Sequence, residues 1–149
     1  MKARDIMTAN PRTLAPTETI RHAAAVMREL NVGAVPIVDG ASSRKLRGII
    51  TDRDIATRCA AEGHAPHCLI RDHMTAAPLQ TVGLDDEVED VIDIMERAQV
   101  RRIPVVTKEG ELLGIIAQAD VVSRYGLQHP REVEELLVRV SAPSVVTHT

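Results

Sequence analysis

The chain has 149 residues, 44% of them apolar, enough for one compact domain or two closely joined half-size ones. Its 18 basic and 21 acidic residues leave a net charge of −3 with no basic cluster, which argues against a nucleic-acid backbone or an anionic membrane as partner. No stretch offers the roughly 18 consecutive apolar residues of a membrane span, and the first residues lack a signal-peptide core, so a cytoplasmic protein is expected.

In chain order, Arg4-Asp5-Ile6-Met7-Thr8 and Pro11 come first. The stretch after Thr17, with Ile20, Ala24, Met27 and Leu30 along one face, predicts a helix whose small alanines suit close packing. Two β-branched runs, residues 35–38 and 46–50, flank a polar connector containing Gly40 and predict a hairpin. Thr51 opens a further helix, and residues 61–71, holding Gly63 and Pro66, read as a connector.

The pattern then returns. Arg71-Asp72-His73-Met74-Thr75 and Pro78 repeat the opening at an offset of 67. Val35-Pro36-Ile37-Val38 recurs as Ile103-Pro104-Val105-Val106 at 68, and Gly48-Ile49-Ile50 with Asp54 recurs as Gly114-Ile115-Ile116 with Asp120 at 66. Four blocks in one order make the chain a duplication. In the second copy Val88, Val91, Ile92 and Met95 fall at helical spacing, with Asp85 placed to cap the start. Strand runs follow at 103–106 and 112–116, and a helix begins near Gln118. The tail holds one more amphipathic helix at 130–140, with Val133, Leu136, Leu137 and Val140 on its apolar side, before a frayed end.

The expected fold class is therefore α/β (α+β): two copies, each strand, helix, strand, strand, helix, plus a C-terminal helix. The boundaries are 1–62 for the first copy, 63–70 for the linker, 71–127 for the second copy and 128–149 for the tail. With no Phe, no Trp and one Tyr, a bound base would meet Val, Ile, Leu and Met rather than aromatic rings.

The D-x-M-T openings, the P-I-V and P-V-V strands, and Gly48-Ile49-Ile50-Thr51-Asp52-Arg53-Asp54 answered by Gly114-Ile115-Ile116-Ala117-Gln118-Ala119-Asp120 resemble the CBS-domain pair, or Bateman module, over about residues 1–126. Short bacterial chains built of one pair and little else are the nearest type. The resemblance implies β-α-β-β-α units related by a pseudo-twofold, commonly a homodimer, and clefts for AMP, ADP, ATP or S-adenosylmethionine-like ligands. It implies that Thr51 meets phosphate, with Arg53 beside it, and that Asp54 meets the ribose diol. An ionised carboxylate can accept both diol hydrogen bonds, and a helix start favours an anion. A capping box of Thr51 and Asp54 explains the same residues without a ligand.

In the second copy Ala117 stands where the family usually has Ser or Thr, while Asp120 remains. Arg101 and Arg102 offer phosphate contacts there, unless they only pair with acidic helix residues; their first-copy counterparts are Gly33 and Ala34, so two unequal sites are expected. The resemblance further assigns adenine contacts to Val32, Ala34, Val35 and Pro36, to Ile103 and Pro104, and to residues 10–14 and 77–81.

Cys59, His64, His67, Cys68 and His73 form a second candidate, a zinc site, although their spacing matches no common structural pattern. Two cysteines are too few for a disulfide framework, and a reducing cytosol keeps them as thiols. No nucleophile, zincin or P-loop motif is present, so no catalysis is expected. The expected function is regulatory: an adenosine ligand shifts a homodimer between arrangements and alters contact with a protein effector. The competing expectation is a zinc-binding or purely structural interaction protein with empty clefts.

Overall fold

The computed structural model describes residues 1–63 and 67–141. The His64 position and the expected frayed end from residue 142 lie outside the described residues. The chain divides into two compact units, and neither is a contiguous stretch. One comprises Asn10–Leu79 with Val106–Leu113; the other comprises Met1–Ala9, Gln80–Val105 and the described chain from Gly114 onward.

The first of these contains α2 (Ile20–Leu30), β2 (Ala34–Val38), β3 (Leu46–Thr51), α3 (Asp52–Asp54) running into a π-helical stretch (Ile55–Ala60), and β4 (Thr75–Ala76). Thr19 caps α2 by accepting the His22 N–H, and Asn31 ends it in the left-handed region. The buried face is Ile20, Ala23, Val26 and Met27, a correction to the expected stripe: Ala24 is exposed and Leu30 is 45% exposed. Bulky Val26 turns the face toward Ala23, and Leu30 lies in the last turn, just before the left-handed cap. β2 and β3 pair antiparallel from Ala34↔Thr51 to Val38↔Leu46, with an irregularity after Ile37. These elements close over a core of Leu14, Ile20, Ala23, Val26, Met27, Val35, Ile37, Ile50, Cys59 and Ile70.

The second unit contains α1 (Ala3–Ile6), β1 (Thr8–Ala9), α4 (Val88–Ala98), β5 (Arg102–Val106), β6 (Leu112–Ala117), α5 (Gln118–Arg124) and α6 (Pro130–Ser141). Val88, Val91, Ile92 and Met95 of α4 are buried as their spacing predicts. Asp85 does not cap this helix. The N-cap is Glu87, the Val88 N–H donates to the Met1 carbonyl, and Asp85 instead pairs with Arg4. The N-terminal segment thus supplies the acceptor that a capping side chain would otherwise provide. α6 buries Val133, Leu136 and Val140 and packs on α4, leaving Leu137 41% and Val138 65% exposed. The expected apolar face of the tail helix is therefore mostly used within the chain.

The two sheets run β2-β3-β4 and β1-β6-β5. Each copy's short opening strand joins the sheet of the other copy: β1 pairs with β6 (Thr8↔Ile115, Ala9↔Gly114) and β4 pairs with β3 (Gly48↔Ala76, Ile49↔Thr75). The repeated glycines are explained by this exchange. A Cβ on Gly48 would stand 2.5 Å from the Thr75 carbonyl oxygen and 2.9 Å from Met74 Sδ, and one on Gly114 would stand 2.6 Å from Met7 Sδ and 2.9 Å from the Thr8 carbonyl oxygen. The Met-Thr of each opening block crosses the glycine of the other copy at a distance only hydrogen tolerates.

Candidate functional site

The β3–α3 junction is fixed by local hydrogen bonding. Thr51 leaves the strand in an extended conformation, its Oγ1 accepts the Asp54 N–H at 3.0 Å, and Asp54 Oδ2 accepts the Thr51 N–H at 3.0 Å. The reciprocal capping box is therefore formed. The Asp52 N–H donates to the Gly33 carbonyl at 3.0 Å, which ties the start of β2 to the helix start. Arg58 Nε lies 3.6 Å from Asp54 Oδ1 and faces a carboxylate that is nearly buried. Arg58 was not singled out from sequence, though its i,i+4 spacing from Asp54 is a readable signal. Each carboxylate oxygen can accept two hydrogen bonds, so these contacts leave Asp54 with acceptor capacity.

Around this junction Ala34 is half-buried, Val35 and Pro36 are buried, and Val32 and Arg53 are exposed. The Leu14 N–H donates to the Pro36 carbonyl and the Val38 N–H to the Leu14 carbonyl, so Leu14 lies beside β2, while the Asn10 N–H donates to the Leu113 carbonyl. The structure thus brings Val32, Ala34, Val35, Thr51, Arg53 and Asp54 to one end of β2 and β3, whereas Leu14 lies beside the stretch from Pro36 to Val38.

The second copy repeats the frame with different chemistry. The Gln118 N–H donates to the Arg101 carbonyl at 2.8 Å, matching the Asp52 to Gly33 bond. Asp120 Oδ2 accepts the Ala117 N–H at 2.8 Å, but Ala117 has no hydroxyl to return the contact, so only the carboxylate half of the box exists. The other oxygen of Asp120 has no partner among the described residues. Arg101 is exposed, Arg102 half-buried at the start of β5, and Ile103 and Pro104 are buried. The Val82 N–H donates to the Pro104 carbonyl, so Val82 lies beside β5 as Leu14 does beside β2, while the Ala77 N–H donates to the Arg47 carbonyl. Gln99 at φ 55° mirrors Asn31 at φ 53°, giving both helix-to-strand turns the same left-handed hinge. Asn is a readable signal for that conformation; Gln is not. A shallow hollow lined by Gln80, Ile94, Arg97 and Ala98 shares no residue with either junction.

The zinc candidates are distributed differently. Cys59 is 3% exposed inside the core, and half-buried Cys68 packs against the same cluster. Burial pushes the Cys59 thiol above its ordinary pKa, and Cys68 and Glu62 add to the effect. His73 is buried and His67 exposed. Among the described residues no three His, Cys, Asp or Glu side chains are grouped to hold a metal ion.

Comparison with known proteins gives a consistent result. The CBS domain family profile matches residues 3–61 and 70–126. Hypoxic response protein 1 of Mycobacterium tuberculosis is 35% identical over 119 residues, covering 80% of this chain and 81% of that protein. The crystal structure of Hypoxic Response Protein I with two coordinated zinc ions aligns with a TM-score of 0.73 at 33% identity, covering 82% of this chain and 97% of that one. CBSX2 in complex with AMP aligns at 0.71 and 26% identity, covering 87% and 98%. The CBS domain pair of MJ0100 in complex with 5-methylthioadenosine and S-adenosyl-L-methionine aligns at 0.74 and 29%, covering 85% and 96%. Among the described residues no helix is long and apolar enough to cross a membrane.

Proposed function

The chain belongs to the CBS domain family, and from that membership we propose that it is a non-catalytic regulatory module that binds an adenosine-containing ligand. The observation that carries the reading is the repeated junction. In both copies a strand-to-helix turn, a carboxylate with spare acceptors (Asp54, Asp120) and the start of the preceding strand converge. CBSX2 and MJ0100, which share the fold, are complexed with AMP and with 5-methylthioadenosine and S-adenosyl-L-methionine.

The carboxylates would accept the ribose diol, Thr51 and Arg53 would meet a phosphate or carboxylate in the first copy, and Arg101 and Arg102 would do so in the second. Without a hydroxyl at Ala117, and with two guanidinium groups instead, the second site has a different ligand preference from the first. Unequal affinity for two arrangements of a homodimer would shift their populations and change contact with a protein effector in the cytoplasm.

Thermal unfolding with AMP, ADP, ATP and S-adenosylmethionine tests this. Ligand at a hundred times its dissociation constant adds about 2.7 kcal/mol, or about 5–11 °C for a chain of this size. Thr51→Ala removes half of the capping box, costing about 1 kcal/mol, and with it the proposed phosphate contact of the first copy, so its ligand shift should shrink while Asp54 is kept. A ligand shift lost in Asp54→Ala or Asp120→Ala but kept at the other site supports the sensor reading; no shift with any of the four ligands refutes it. A second reading is favoured by the two zinc ions of Hypoxic Response Protein I and by the packing of Cys68 against the Cys59 cluster. Under that reading zinc alone raises the midpoint in the same scan, and Cys68→Ser abolishes the rise.

A further inference from the structure

We propose that Cys59 and Cys68 form a reversible intramolecular disulfide, making the connector after the first copy an oxidant-sensitive clasp. Cys59 lies in the last turn of the Ile55–Ala60 stretch with its side chain in the core, and Cys68 packs against that same cluster from the returning chain. Both backbones are held: the Ile20 N–H donates to the Cys68 carbonyl at 2.8 Å, Leu69 bridges to Thr19, and the Ala61 N–H donates to the Ala56 carbonyl at 3.0 Å. Oxidation therefore joins two anchored positions instead of gathering a loose loop.

The difference in burial assigns the order of events. Cys59 is 3% exposed and out of reach of a small oxidant, whereas Cys68 is half-buried and reachable. A small-molecule disulfide is attacked by the Cys68 thiolate, giving a mixed disulfide and one released thiolate. The Cys59 thiolate then attacks the Cys68 sulfur, expelling the second small thiolate. The two protons lost by the cysteines end on the two released thiols, the chain is oxidised by two electrons and the small disulfide is reduced by two. The product joins the far end of the helical stretch that begins at Asp52 to the segment entering Ile70.

The test uses the full chain, cleared of metal with a chelator and held folded in oxidised glutathione. Trypsin cuts after Arg58 and after Arg71, so both cysteines leave in one peptide. The expected result is that peptide two hydrogens lighter, both thiols lost, no covalent dimer, and full reversal by a dithiol. Cys59→Ser should then stop at a glutathione adduct on Cys68, and Cys68→Ser should leave Cys59 unmodified. A wild-type chain that keeps both thiols, carries a stable adduct on Cys68, or links to a second chain overturns the proposal.

Discussion

Replacing Gly48 with alanine tests the strand exchange at its tightest point. The new Cβ would stand 2.5 Å from the Thr75 carbonyl oxygen, 2.9 Å from Met74 Sδ and 3.4 Å from Ala76 Cα. Met74 can swing its sulfur aside, but the Thr75 carbonyl is backbone and retreats only if β4 lifts from β3. Overpacking of this kind costs about 1–3 kcal/mol, and each weakened ladder hydrogen bond adds about 1 kcal/mol. A loss of about 3 kcal/mol lowers the midpoint of a chain of this size by about 6–12 °C. With no Trp and one Tyr, urea unfolding is best followed by far-ultraviolet circular dichroism. Gly40→Ala, where a Cβ meets nothing within 4 Å, is the control and should stay within about 0.5 kcal/mol of wild type. Gly114→Ala should be milder than Gly48→Ala, because its closest obstacle is the movable sulfur of Met7. A Gly48→Ala variant as stable as the control would refute the argument that the exchanged strand demands glycine.

Tyr125→Phe removes a 2.7 Å hydrogen bond to Glu89 Oε1 and should cost about 1 kcal/mol at neutral pH by urea titration. The Tyr125 hydroxyl is the main cause holding the Glu89 carboxyl below its usual pKa, so this stability is present above the unfolded value of about 4.3 and is lost as pH falls through the folded value. The wild-type advantage should therefore shrink toward pH 3, and a gap there as large as at pH 7 would contradict the assignment. Burial and Glu89 raise the Tyr125 pKa, so its own contribution holds below about pH 10 and is lost at higher pH. In the tail, Leu136→Ala should cost about 3 kcal/mol and Leu137→Ala under about 1 kcal/mol, because only Leu136 is fully buried; equal losses would mean α6 is docked on a different face.

The duplication was legible because it is carried by residues with strong local constraints. Gly48 and Gly114 lie under a crossing backbone, and Val88, Val91, Ile92 and Met95 make an unambiguous stripe. The stripe of α2 was harder, since Ala23, Ala24 and Ala25 are apolar on every side and leave only Val26 to set the rotation. Asp85 looked like a cap because caps are local; the group that starts α4 is the Met1 carbonyl, distant in sequence. Thr51 and Asp54 could be paired from their spacing, Asp120 from the repeat and Arg58 from its i,i+4 spacing to Asp54, but spacing does not show that the carboxylate Arg58 faces is nearly buried. Nor does a two-residue strand such as Thr8–Ala9 or Thr75–Ala76 carry enough pattern to say which sheet it joins.

That exchange sets the order in which the protein can be completed during synthesis. The β2–β3 hairpin emerges early but gains its third strand only once Thr75 and Ala76 have left the ribosome. Thr8 and Ala9 have no ladder partner until Gly114 and Ile115 follow. The nascent chain therefore carries β1 unpaired until β6 is made, and that closure depends on contacts of long sequence separation, the kind that fold slowly. A chain cut between residues 61 and 70 would give two fragments, each holding the strand the other needs.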